Sequence, residues 1–135
     1  MDYYRQHSIL IQDKIPLQLQ RSHWHKFHYW LGQYLIETKA QSTIEKLIQA
    51  TLLQAFIKIS KLIQRLERSG KPMKSKISLQ LSPSEKYGLE HSIQAVAEEV
   101  DNDFFEPFYL AYLQPILDQF HQHDINQPNQ GLSLL

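Results

Sequence analysis

Cysteine is absent from this chain, which excludes disulfides, thiolate metal sites and a cysteine nucleophile together. Glycine is scarce, four in 135 residues, and leaves little material for loops that cradle phosphate. No P-loop, dinucleotide fingerprint, Gly-x-Ser-x-Gly elbow or His-Glu-x-x-His helix occurs. Long apolar runs are missing too: Gln, Lys or Thr interrupts each one before the roughly 18–20 residues that a membrane span needs. The opening Met1-Asp2-Tyr3-Tyr4-Arg5 carries neither the basic nor the apolar stretch of a secretory signal. These absences point to a soluble cytoplasmic protein with no membrane partner and no bound cofactor, and to a non-enzymatic role ahead of a catalytic one.

What is present argues for one compact domain. A hydrophobic share of 42% with two Trp, seven Tyr and six Phe is too apolar for disorder. The expected domain covers residues 1–123, followed by an irregular tail over 124–135 that contains Asn126-Gln127-Pro128-Asn129-Gln130-Gly131. The zero net charge hides a segregation. Residues 58–76 hold Lys58, Lys61, Arg65, Arg68, Lys71, Lys74 and Lys76 against Glu67 alone. From residue 77 onward nine acids face Lys86 alone. Such a split marks either a face for polyanions or two halves of one molecule that attract each other.

The phrase Lys-Ile-x-Leu-Gln-Leu occurs twice, at Lys14–Leu19 and Lys76–Leu81. Alternation puts Ile15, Leu17 and Leu19, or Ile77, Leu79 and Leu81, on one face of a strand. With a β-branched run at residues 8–12, this predicts a small antiparallel sheet from 8–12, 15–19 and 76–81. Four or five helices should pack around a long central one, giving a mostly helical α+β fold. Ser22 is the expected N-cap of a helix from His23 to about Thr38, and Ser42-Thr43-Ile44-Glu45 fits a capping box. One helix running on through 39–41 is the alternative. Thr43–Ser69 carries apolar residues at steps of three and four from Ile44 to Leu66, widened by Leu53 and Ile57, and Gly70 with Pro72 ends it. Ser82-Pro83-Ser84-Glu85 opens a helix to about Val100, with Gly88 its weak point. Pro107 and Pro115 should bend or split the last helix near Gln114.

Several clusters are candidate sites. Lys58, Lys61, Arg65, Arg68, Lys71, Lys74 and Lys76 form a basic stripe suited to nucleic acid or another anion. Phe104, Phe105, Phe108, Tyr109 and Tyr112 recur at helical spacing, mostly as core, with any exposed part a partner-binding surface. His25 and His28, three apart, are the weak candidates for a metal, with His91, His121 or His123 as further ligands. Glu98, Glu99, Asp101 and Asp103 crowd a helix end, where Asp101 or Asp103 would cap the next helix with the rest solvated; binding a cation or docking on the stripe is the alternative. Arg21 and His28 are weak catalytic candidates. Their spacing resembles the Arg-x(4–6)-His motif of HEPN ribonucleases, small helical dimers that cleave RNA without metal, though here it lies in the first helix. The resemblance spans eight residues and implies an imidazole that moves protons beside a cation that stabilises phosphorane charge. The first expectation remains an interaction or adaptor protein whose partner is another protein or a second copy, a homodimer. A nucleic-acid-binding accessory protein comes next, and a metal-independent ribonuclease third.

Overall fold

A computed structural model describes residues 14–98 and 105–126. The expected strand at 8–12, the acids Glu99, Asp101 and Asp103, and Phe104 lie outside the described residues. Strand β1 (Ile15–Gln20) leads into helix α1 (Arg21–Glu37), then α2 (Thr43–Ser69), β2 (Lys76–Leu81) and α3 (Pro83–Ala97). The last helix, α4, is composite: Phe105–Phe108, a π-helical turn at Tyr109–Leu113, and Gln114–Ile125.

The twin phrases turn out to be partners of each other. β1 and β2 pair antiparallel with Ile15 opposite Leu81, Leu17 opposite Leu79 and Leu19 opposite Ile77. This register puts both apolar triplets on one face, and β1 reads buried and exposed in strict alternation. A slip by one residue would turn the whole set toward water. The sheet lays this face over the helices. Trp24, Phe27 and Leu31 of α1, Leu52 and Ile59 of α2, and Leu89 and Ile93 of α3 fill the core fully buried, together with Leu113, Ile116 and Phe120 of α4. The Trp24 indole N–H donates to the Ile77 carbonyl at 2.9 Å, so its polar edge is satisfied inside the core.

Ser22 is not the N-cap of α1. The helix starts at Arg21 directly from the strand, and Gln20 makes no side-chain cap. The physical reason is in the loop before β2: the Arg21 N–H donates to Ser75 O at 2.8 Å and the Ser22 N–H to Met73 O at 3.1 Å. Tertiary carbonyls satisfy amides that a serine would otherwise serve. The break at 38–42 is real, because Ser42 and Glu45 close a capping box, and Gly70 ends α2 in the left-handed conformation. Ser82 and Glu85 close a second box with Pro83 at the first turn.

One expectation about helices changes. Ile44 and Leu47 are exposed, since the first turns of α2 extend past the core, and Leu53 and Ile57 are also at the surface. The last helix is interrupted near Gln114, as expected, by a π-helical turn over Tyr109–Leu113, with regular α-helix resuming at Gln114. Proline lacks an N–H and its ring crowds the carbonyl four residues back. The chain answers by widening the turn before Pro115, with the Gln114 N–H donating to Tyr109 O in a π step. The helix then continues to Ile125, just into the segment expected to be irregular.

Candidate partner-binding surfaces

The basic stripe does not act as one unit. Lys58 leaves it: its ammonium lies 2.7 Å from Glu85 and 3.2 Å from Gln80 O. Glu85 is buried, and burial pushes its carboxyl up. The hydrogen bond from Lys58, helped by the Ser82 amide and the Lys58 charge, outweighs that and holds it below the ordinary value. Lys86, also buried, bridges Glu90 and Asp124. Burial pulls its ammonium down, but these two carboxylates raise it above the usual lysine value. The acidic half thus meets the basic half at Glu85, and partly supplies its own counter-ions at Lys86. Lys61, Arg65, Arg68, Lys71, Lys74 and Lys76 make no ion pair among the described residues and are all exposed. Lys61, Arg65 and Arg68 line one wall of an open groove of about 670 Å³, whose other wall is Ser78, Leu79 and Gln80 of β2.

Arg21 and His28 do not meet. The Arg21 guanidinium donates to Lys71 O, pinning the loop after α2. The His28 ring stacks on Phe56 at 4.8 Å between centroids and 5° between planes, and its Nε2 lies 2.8 Å from Ser60 Oγ. Burial, and then the charge of His25, lower the His28 pKa. A neutral imidazole is a competent base, but no contact among the described residues brings the Arg21 cation to it. No group of three His, Asp or Glu side chains comes together in metal-binding proximity among the described residues, so His25 and His28 gain no further ligand there.

The aromatic cluster is mostly internal. Tyr109 is buried, and Phe105 and Phe108 pack half-buried against the core. His23 Nε2 lies 2.6 Å from Tyr112 O, with the His23 ring edge-on to the Tyr112 ring. These rings close the bundle and leave little free apolar surface.

Exposed large apolar side chains include Leu110 beside these rings, and four more flank the contact of α1 with α2. His28 against Ser60, Gly32 against Phe56 and Thr38 against Gln49 show α1 and α2 running antiparallel in contact. Flanking that seam on the solvent side are Tyr29 and Ile36 of α1, exposed by 68% and 76%, and Leu53 and Ile57 of α2, exposed by 50% and 45%. Ala50 adds a small exposed residue to the same row. Sequence reasoning missed Tyr29 and Ile36, although a signal existed: they stand seven apart, one face of a helix, and off the Trp24–Phe27–Leu31 stripe. No family model matches the chain, and the curated proteins and solved structures contain no match to it. No helix among the described residues is long and apolar enough to cross a membrane.

Proposed function

We propose that the chain is a non-enzymatic protein-interaction module that self-associates through the outward face of the α1–α2 pair. One observation carries the reading: four large apolar side chains, Tyr29, Ile36, Leu53 and Ile57, stand in water on adjoining helix surfaces. A contiguous exposed apolar patch on a small domain is a docking surface more often than an accident. The α2 row is also self-complementary. Ala50, Leu53 and Ile57 recur at steps of three and four, the spacing of a helix–helix seam. In an antiparallel, two-fold crossing centred between Leu53 and Ile57, Leu53 of one copy meets Ile57 of the other. Ala50 then faces Ser60, and Lys46 faces Gln64, so no like charges are opposed. Two-fold pairing of one patch with itself is the commonest way proteins form dimers.

The test is sedimentation velocity across a concentration series, comparing the protein with Leu53→Glu, Ile57→Glu. Both positions are half-exposed, so circular dichroism should be unchanged. Burying carboxylates in the seam should weaken self-association by at least about a hundredfold. A wild-type protein that stays monomeric at every concentration, or a dimer that the double substitution leaves intact, refutes the reading.

A further inference from the structure

We propose that the free edge of β2, beside the cationic wall of α2, binds an extended acidic peptide segment of a partner protein as a third strand. The two edges of the sheet are treated differently. On the β1 side, the Gln18 N–H donates to Gln119 Oε1 at 3.0 Å and Gln119 Nε2 donates to Gln18 O at 2.6 Å. A glutamine side chain therefore stands in for a neighbouring strand and closes that edge.

The same bonds reveal the phase of the ladder. Both polar groups of Gln18 point away from β2, so Gln18 occupies a non-hydrogen-bonded position of the antiparallel pair. Ser78 lies directly opposite Gln18, so its N–H and C=O point away from β1, out of the other edge. Gln80, two residues on, shares that orientation, and Lys58 duly reaches its carbonyl. Neither polar group of the Ser78 backbone finds a protein partner among the described residues, and Ser78 is exposed. Among the described residues the edge is open at Ser78, where the groove lies.

The groove selects the occupant. Lys61, Arg65 and Arg68 line it without a counter-ion among the described residues, while Glu85 neutralises Lys58. No carboxylate lines it. A strand laid along this edge would gain main-chain hydrogen bonds at Ser78 and at the Gln80 N–H, the Gln80 carbonyl already accepting from Lys58, and acids at alternate positions would face the α2 cations. Leu79, partly buried, offers an apolar contact at the same spot. Nucleic acid fits less well, because no aromatic side chain lines the groove for base stacking, and phosphates would leave the peptide edge unused.

The groove runs beside the α1–α2 face on α2, with Gln64 common to both, but it is read by peptide binding rather than by oligomeric state, so the two proposals fail separately. The probe is a fluorescent alternating glutamate–valine decapeptide, compared with the same peptide N-methylated at alternate residues and with single-stranded oligouridylate. Anisotropy at low salt should show binding that falls as salt rises. N-methylation should weaken it by about tenfold or more, and Lys61→Glu, Arg65→Glu should abolish it. Ser78→Pro removes one outward N–H at a position where an edge strand tolerates proline, and should cost affinity while leaving the circular dichroism unchanged. Equal binding of the methylated peptide would show attraction by charge alone and overturn the proposal, as would tighter binding of oligouridylate or no binding at low salt. The peptide arms need no substitution, so they decide the matter even if Ser78→Pro fails to fold.

Discussion

His28 sits between a ring and a hydroxyl, and both contacts suit its neutral form. Protonation would put a charge in a half-buried slot near His25, which is why its pKa is lowered from 6.5. A histidine with a depressed folded value binds protons more readily in the unfolded chain. Its contribution to stability is therefore complete above 6.5 and is lost as pH falls through the lower folded value. His28→Gln keeps a hydrogen-bonding group for Ser60 without the titration. Thermal unfolding at about pH 7.5 and about pH 5 should show a smaller acid-induced drop in Tm for the variant than for the wild type. Equal drops would mean that His28 is not held neutral. The residue scale was also where the sequence was least legible. Arg21 and His28 share a spacing, but spacing cannot say that one guanidinium reaches a loop carbonyl 50 residues on, or that one imidazole prefers a phenyl ring.

Helices and strands were far more legible, because their signals are local. The capping boxes at Ser42 and Ser82, the glycine stop at Gly70 and the alternation in both strands are short-range chemistry, and the elements begin or end where they say. Where a distant group intervened, local reasoning slipped: loop carbonyls replaced the Ser22 cap. Two glycines make the same point quantitatively. A Cβ at Gly88 would lie 3.4 Å from Thr51 and 3.6 Å from Leu52, ordinary contact, whereas one at Gly32 would lie 3.2 Å from the Phe56 ring. Alanine in mid-helix is favoured over glycine by about 1 kcal/mol. Gly88→Ala should thus stabilise the protein by about 0.5–1 kcal/mol in urea unfolding. Gly32→Ala must move a ring already stacked on His28 and should give no gain or a loss. The reverse order would contradict the packing described for the α1–α2 seam.

At the scale of the molecule, the charge map has three parts. One basic residue, Lys58, crosses to the buried Glu85, Lys86 neutralises part of the acidic half, and Lys61, Arg65 and Arg68 stand beside the β2 edge without an ion pair among the described residues. The amino-acid order showed the asymmetry but not this division, since it depends on which face of α2 meets α3. Nor did it show that the broad apolar face of Thr43–Ser69 exceeds what the core covers, leaving Leu53 and Ile57 beside Tyr29 and Ile36. That uncovered face is where we propose that two copies meet. Because the chain has no cysteine, one thiol can be placed at will. A nitroxide on Gln54→Cys, at the rim of the face, should give a dipolar distance between copies that is shorter than one from a label on Gln94→Cys of α3. No dipolar signal at Gln54, or the shorter distance at Gln94, would contradict the assignment of this face.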